Sequence, residues 1–278
     1  MLLIDLDAQG SATAQFGIDA DAEVTPDSCF AGWVSQKGER GPDTARRSIQ
    51  RTYWPNIDLV PAGAALQSIE YDLVKELDQP KQEAAAEHPW YDHLRSFLAT
   101  VEAGYDAVVV DCRPDVNMMM INSLHAATGV VVPVPMTMTD IASTGEFFRF
   151  LRSYTGEARK TISDGELRFD FLRLLATRFQ ATDGSQANLL HLFQGNFADI
   201  VLAEPMVHTA LVGSAGLSKQ TLYEWQPTDS RRTYERALDS LNRVNRAIAA
   251  EIEAAWRRDA ERRAAPAPKT RGRRAEAA

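Results

Sequence analysis

The sequence has little cysteine and no long apolar run. Its 278 residues include only Cys29 and Cys112, which lie too far apart for a zinc site, a cysteine-held cluster or a disulfide framework. No apolar stretch approaches the roughly 20 residues that span a bilayer. Asp5 and Asp7 interrupt the first apolar segment, which a signal peptide would keep hydrophobic. These absences predict a soluble protein of the reducing cytoplasm.

Two glycine-rich nucleotide-binding loops are also absent from the sequence. No Gly-x-Gly-x-x-Gly follows a strand-like run, which disfavours an enzyme that binds a dinucleotide. The sequence contains no Gly-Lys dipeptide, so it lacks the Gly-x-x-x-x-Gly-Lys-Ser/Thr loop whose backbone N–H groups and lysine cradle phosphates.

The charge is unevenly distributed along the chain, whose net charge is −8. Residues 257–278 contain eight basic and three acidic residues, so this end carries +5 and residues 1–256 carry −13. We therefore expect one α/β domain over residues 1–256, with a surface insertion at the acidic, turn-rich stretch 19–43, and a disordered Ala/Pro-rich tail over 257–278. The tail either contacts nucleic acid or an acidic partner, or is a solvated extension.

Strand-like and helix-like segments alternate along the chain, as they do in α/β proteins. Residues 106–111 form a β-branched run that is typical of a parallel strand buried on both faces. The remaining expected strands are 2–7, 57–61, 130–134, 168–177 and 200–203, and the expected helices are 64–77, 90–101, 118–127, 140–154, 186–194 and 230–257. This order predicts a doubly wound, mostly parallel sheet with helices on both faces.

Carboxylates end two of the expected strands. Leu2-Leu-Ile-Asp5-Leu-Asp7 ends in two acidic residues that alternation along a strand places on the same side. Val108-Val-Val-Asp111 ends in a carboxylate in the same way. Because α/β sheets bind ligands at the carboxyl ends of their strands, this pattern suits a hydrated cation or an activated water. The alternative is that these are ordinary strand ends whose aspartates form turns.

These segments together resemble the ParA-type partition ATPases, in the plasmid RepA branch of the MinD/ParA group. The resemblance covers nearly the whole chain and rests on residues 2–13, Leu59-Val-Pro-Ala62, Asp111-Cys-Arg-Pro114, Ile121-Asn-Ser-Leu124, Val132-Pro-Val-Pro-Met136 and residues 222–238. Ala8 and Arg113 stand where the family usually has proline.

The resemblance implies a P-loop NTPase-like fold and roles for three carboxylates. Asp7 would orient the water that attacks the γ-phosphate of ATP, Asp5 would help hold the magnesium shell, and Asp111 would be the Walker B carboxylate. In the family, the phosphate-binding loop lies just before the strand that here begins at Met1. We therefore expect the first strand, the phosphate-binding loop and the first helix to be missing, and the chain to be inactive as an ATPase on its own.

The resemblance also implies partners. In the family, ATP closes a homodimer that binds DNA without sequence preference at the nucleoid, and a ParB- or RepB-like centromere-binding protein stimulates hydrolysis. Lys219, Arg231 and Arg232 fall where the family uses basic residues for DNA, although solvated charges at a helix start would look the same.

Two other classes of function stay open on the sequence. One is a DNA-associated or partner-binding protein that keeps the fold but has lost nucleotide hydrolysis. The other is a receiver-like phosphorylation domain that uses Asp5, Asp7 and Asp111, which is disfavoured because the chain is more than twice the usual size of such a domain.

Overall fold

The computed structural model of the chain describes residues 1–36, 40–77, 89–161, 167–227 and 231–264, and for residues 157–161 only the backbone. Its strands form two sheets. The first has the order β2-β3-β1-β4, in which β1, β3 and β4 are parallel and β2 is antiparallel to β3. The second sheet pairs β5 and β6 in parallel. The strands are β1 (Leu2–Asp5), β2 (Gln50–Arg51), β3 (Asp58–Val60), β4 (Val108–Asp111), β5 (Gly129–Pro135) and β6 (Phe171–Thr177).

Helices connect and cover these strands. The short helices at the beginning of the chain are α1 (Ser11–Gln15), α2 (Ala20–Glu23), α3 (Phe30–Ser35) and α4 (Pro42–Arg47). The later helices are α5 (Ala65–Leu77), α6 (His93–Val101), α7 (Met118–Ala126), α8 (Met138–Thr161), α9 (Gly184–Asn196), α10 (Ala210–Leu217) and α11 (Arg231–Ala264). Among the described residues, no helix combines the length and the apolar character that crossing a bilayer requires.

The first sheet packs on a core of aromatic and aliphatic side chains. Phe97 of α6 meets the rings of Phe30 and Trp33 edge to face, at centroid distances of 5.7 and 5.5 Å. The indole N–H of Trp33 donates to the backbone oxygen of His93 at 3.1 Å, which satisfies the only polar atom of that ring. Helices α3 and α6 are thereby fixed to each other, and Leu2 and Ile4 of β1 belong to the same core.

Part of the expected surface insertion at residues 19–43 lies in the core, whereas residues 19–28 lie at the surface. Phe30, Ala31 and Trp33 of α3 are almost fully buried and belong to the core of the first sheet. Three acidic residues of this stretch, Asp19, Asp21 and Glu23, lie in and around α2, where Asp19 accepts from the N–H groups of Asp21 and Ala22 and so caps the helix. The acidic residues at α2 therefore mark the beginning of a helix, and the apolar residues of α3 that follow them form part of the core.

The expectation that the strand ending at Asp111 is buried on both faces is wrong. Val109 of β4 is 42 % exposed. The cause is the division of the sheet, because β4 pairs with β1 and β5 pairs with β6, and the two sheets share no strand pairing among the described residues. Helix α7 connects the sheets, since Met119 packs in the core of the first and Met120 packs with Val130 of β5.

The predicted tail boundary at residue 257 lies inside a helix. Helix α11 continues to Ala264, because Arg258 and Arg262 are held by Asp170, which lies just before β6. Both oxygens of Asp170 accept from Arg262, and the Arg258 guanidinium donates to the backbone oxygen of the same residue at 3.0 Å. The rest of the predicted tail, residues 265–278, lies outside the described residues.

We expect Phe97→Ala to lower the free energy of unfolding by about 3–5 kcal/mol, because it opens a cavity against two other rings. Urea unfolding followed by circular dichroism measures this. Leu217→Ala is the control, since Leu217 is 90 % exposed and its removal should change stability by no more than about 0.5 kcal/mol. Equal effects of the two substitutions would contradict the assignment of the core.

Candidate functional site

The pairing of β1 with β4 places two of the predicted site residues side by side. The two strands are parallel, and their register aligns Leu2 with Val108 and Asp5 with Asp111. The backbone N–H of Leu6 donates to the backbone oxygen of Asp111 at 2.9 Å, which continues the pairing one residue beyond β1. Asp5 and Asp111 therefore end neighbouring strands at the same edge of the sheet.

The carboxylate of Asp5 is fully buried and fully engaged by the chain that follows it. Its Oδ2 accepts from the backbone N–H of Thr13 at 2.8 Å and from the Thr13 hydroxyl at 2.7 Å. Its Oδ1 accepts from the backbone N–H of Asp7 at 3.2 Å. These bonds replace the water that a buried carboxylate has lost.

Asp7 lies in the turn between β1 and α1, where it is more accessible than Asp5. Its Oδ1 accepts from the N–H of Gln9 at 3.0 Å, and its backbone oxygen accepts from the N–H of Gly10 at 2.8 Å. Gly10 has a φ of +62°, in the left-handed region, and a Cβ there would lie 3.3 Å from the Cβ of Ala20. Glycine at position 10 thus allows the chain to turn from β1 directly into α1.

The site carries negative charge. Partial burial raises the pKa of the Asp111 carboxyl, and the negative charges of Asp5 and Asp7 raise it further. Burial also raises the pKa of Asp5, although the hydrogen bonds from Thr13 and from the Asp7 N–H oppose that rise. The charges that raise the pKa of Asp111 are thus negative, like the charge of its own carboxylate. Such a group of carboxylates attracts a cation, although no set of three or more His, Cys, Asp and Glu side chains placed to hold a metal ion occurs among the described residues.

Cys112 lies next to this group but is unsuited to nucleophilic chemistry. Its Sγ donates to the Ser123 hydroxyl of α7 at 3.1 Å, and burial raises the pKa of the thiol to about 11. The residue is therefore a protonated thiol at neutral pH, and its contact with Ser123 ties the end of β4 to α7.

Lys219 lies beside the same turn. It lines a cleft of about 430 Å³ together with Gln9, Gly10, Asp19 and Asp21. The family resemblance suggested that Lys219 binds DNA together with Arg231 and Arg232 of α11. The structure places it against the turn that carries Asp7.

Arg231 and Arg232 stand at the beginning of α11. Arg231 is 90 % exposed and forms an ion pair with Glu235 one turn later, at 2.8 Å. Arg232 is also exposed. Exposed ion pairs of this kind are weak, so both guanidinium groups remain accessible to phosphates.

Thr13 and Ala62 stood in segments that carried the family resemblance, but sequence reasoning assigned neither residue a role in the site. The Thr13 hydroxyl accepts from the backbone N–H of Ala62 at 2.8 Å, so it connects Asp5 with the chain just after β3. Both residues are buried. The available signal was the threonine that follows the Asp5 segment at the beginning of a helix, but nothing in the sequence indicated its partner 49 positions away.

Comparison with known proteins identifies the family. The model of the AAA_31 family, described as an AAA domain, matches residues 1–163. The chain is 34 % identical over 265 residues to a putative replication protein A of Sinorhizobium fredii, which covers 93 % of this chain and 62 % of that protein. It is 28 % identical over 229 residues to the protein SopA of Escherichia coli K12, which covers 81 % of this chain and 55 % of SopA.

Two solved structures show the same fold. Apo McdA of Cyanothece superposes with a TM-score of 0.63 at 14 % identity, covering 86 % of each chain. A putative plasmid partition protein of Borrelia burgdorferi, bound to AMPPNP, superposes with a TM-score of 0.59 at 19 % identity and covers 87 % of this chain and 86 % of that one. The predicted α/β fold with a mostly parallel sheet, similar to that of P-loop NTPases, is confirmed.

The chain spans about three fifths of the length of the two replication proteins that it matches. The family model covers more than half of its residues. The chain belongs to the AAA_31 family and is a relative of the ParA/MinD group.

Proposed function

We propose that the chain works in DNA partitioning, as a ParA- or RepA-like protein that segregates a plasmid or chromosome with a ParB- or RepB-like partner. The observation that carries this proposal is the alignment of Asp5 with Asp111 at the carboxyl ends of β1 and β4, with the Asp7 turn next to both. That arrangement, in a chain related to SopA and to the replication proteins, supports partitioning over a receiver domain.

Magnesium fits the residues that are present. Mg²⁺ keeps several water ligands and is commonly held by one or two carboxylates. Asp7 is half-buried and Asp111 is exposed, so both supply accessible carboxylates, and Asp5 adds a buried negative charge behind them. The Asp5 oxygens already accept three hydrogen bonds, so its support of the magnesium shell acts through charge and through the turn. When bound, the ion would neutralise charge at this edge of the sheet.

ATP does not fit these 278 residues in the same way. Related proteins of known structure have ATP, ADP with magnesium, or AMPPNP bound. This chain contains no Gly-Lys dipeptide, and with it no lysine-bearing loop to cradle the phosphates. We therefore assign no hydrolytic step to these residues. A second candidate function is that of a DNA-associated or partner-binding protein without nucleotide hydrolysis.

We propose that DNA contacts this chain through Arg231, Arg232 and Lys219, in the cytoplasm at the nucleoid, and that the complete protein is a homodimer. Arginine and lysine bind phosphates without reading the base sequence, so this binding would be indifferent to sequence and sensitive to salt. The negative charge of residues 1–256 opposes it at long range, which requires the basic groups to lie together on one face.

Magnesium binding predicts a specific response at Asp111. Without the ion, Asp111→Asn should raise Tm by about 1–3 °C, because it removes a charge that its neighbours repel, and the exposure of Asp111 keeps the effect small. Saturating Mg²⁺ should raise the wild-type Tm by a few degrees and leave that of the variant unchanged. Asp106→Asn, just before the opposite end of the same strand, is the control and should respond to Mg²⁺ as the wild type does. An equal response of all three proteins would refute the site.

The missing phosphate cradle predicts that the 278-residue chain binds ATP negligibly. Isothermal titration of ATP with Mg²⁺ measures this, and affinity in the micromolar range would contradict it. A version of the protein that includes a phosphate-binding loop should hydrolyse ATP slowly. In that version, Asp7→Ala should abolish turnover and preserve nucleotide binding. If the version with the phosphate-binding loop does not hydrolyse ATP, the result favours the non-catalytic function.

DNA binding predicts a weakening that is the same for every duplex. Arg231→Ala with Arg232→Ala should weaken binding equally on unrelated sequences, and should make the log–log dependence on salt shallower by about 0.9 for each phosphate that the variant no longer neutralises. Mobility shifts across a salt series measure both. Arg46→Ala with Arg47→Ala is the matched control, since these arginines are also adjacent and exposed, and the first also forms an ion pair. A strong preference for one site, or equal weakening in both double variants, would refute this interface.

A further inference from the structure

The Thr13 hydroxyl is a buried junction between three parts of the chain. It donates to Oδ2 of Asp5 at 2.7 Å, at the end of β1, and accepts from the N–H of Ala62 at 2.8 Å, just after β3. Thr13 itself lies in α1 and is fully buried. Because the carboxylate only accepts and the amide only donates, both roles of the hydroxyl are fixed.

The same carboxylate closes the turn at both of its ends. Asp5 accepts from the N–H of Asp7, where the turn begins, and from the N–H and the hydroxyl of Thr13, where it has become α1. The side chain of Asp7 has a local bond only, since among the described residues it accepts just from the N–H of Gln9. The position of Asp7 relative to the sheet therefore depends on the hydrogen bonds that Asp5 and Thr13 make.

We propose that Thr13 is a positioning residue for Asp7, acting by the hydroxyl that joins Asp5 to Ala62. This inference rests on the proposed magnesium site, because its consequence is the placement of Asp7 beside Asp111. Removing the hydroxyl leaves the buried N–H of Ala62 without an acceptor and removes one donor from Asp5. The turn then loses this tie to the chain after β3, and Asp7 is held at the edge of the sheet only through the remaining backbone bonds to Asp5.

Thr13→Val and Thr13→Ser separate this role from simple packing. Valine keeps the shape of threonine and lacks the hydroxyl, whereas serine keeps the hydroxyl. We expect Thr13→Val to speed hydrogen exchange of residues 7–12 about tenfold and to raise the Mg²⁺ concentration at half-maximal thermal shift about tenfold. Thr13→Ser should stay within about twofold of the wild type in both measurements.

Phe97→Leu is the matched control for reduced stability, because Phe97 lies in the same core and away from the turn. It should lower Tm and leave both the exchange of residues 7–12 and the Mg²⁺ midpoint unchanged. If Thr13→Val lowers Tm as Phe97→Leu does, but changes neither of the other two quantities, Thr13 is a packing residue and the proposal is overturned. A failure of Thr13→Ser to restore either quantity overturns it as well.

Two outcomes distinguish this inference from the proposed function. If the wild type shows no thermal shift with Mg²⁺, the magnesium site fails, and the exchange of residues 7–12 in the variants still tests whether Thr13 holds the turn. If Thr13→Val does not fold, hydrogen exchange of the wild-type protein tests the proposal instead. The Ala62 amide should exchange as slowly as the amides of β1, and rapid exchange at Ala62 would overturn the proposal.

Discussion

The parallel pairing of β1 with β4 is the constraint on which the site depends. Parallel strands end at the same edge of a sheet, so two apolar runs that each finish in aspartate bring their carboxylates together once they are neighbours. The alignment of Asp5 with Asp111 follows directly from this register. A shift of one residue in that register would move Asp111 to the other face of the sheet, away from Asp5 and Asp7.

The three carboxylates at this edge of the sheet have different environments, and so they differ in whether they can bind an ion or a water. Asp5 is buried and saturated with hydrogen bonds, and it organises the chain around it. Asp7 and Asp111 keep accessible oxygen atoms, and the charges that shift the pKa of Asp111 are all negative. The site therefore combines one carboxylate that orders the backbone with two that can meet an ion or a water.

The sequence predicted local elements well and long-range pairing poorly. The helices at 64–77 and 118–127 and the strand at 130–134 lie within a few residues of α5, α7 and β5, because their apolar periodicity is local. The convergence of Asp5 and Asp111 could also be predicted, since both end apolar runs. The division into two sheets could not, because pairing partners are chosen by distant parts of the chain. The buried Phe30 and Trp33 were missed because acidic residues dominate the composition just before them. The role of Thr13 was not predicted, because a single hydroxyl in the sequence does not indicate its hydrogen-bond partners.

Helix α7 has a consequence for how the molecule melts. Its residues divide between two cores, with Met119 packed below the first sheet and Met120 and Leu124 packed beside the second. Parts of a chain that pack on different cores can open as separate cooperative units, each with its own free energy. Besides α7, the hydrogen bond from Tyr53 to Glu224 and the cleft that Lys219 shares with Gln9 join the part that holds the carboxylates to the part that holds α11. The strength of these contacts determines whether the chain unfolds in a single transition or in two.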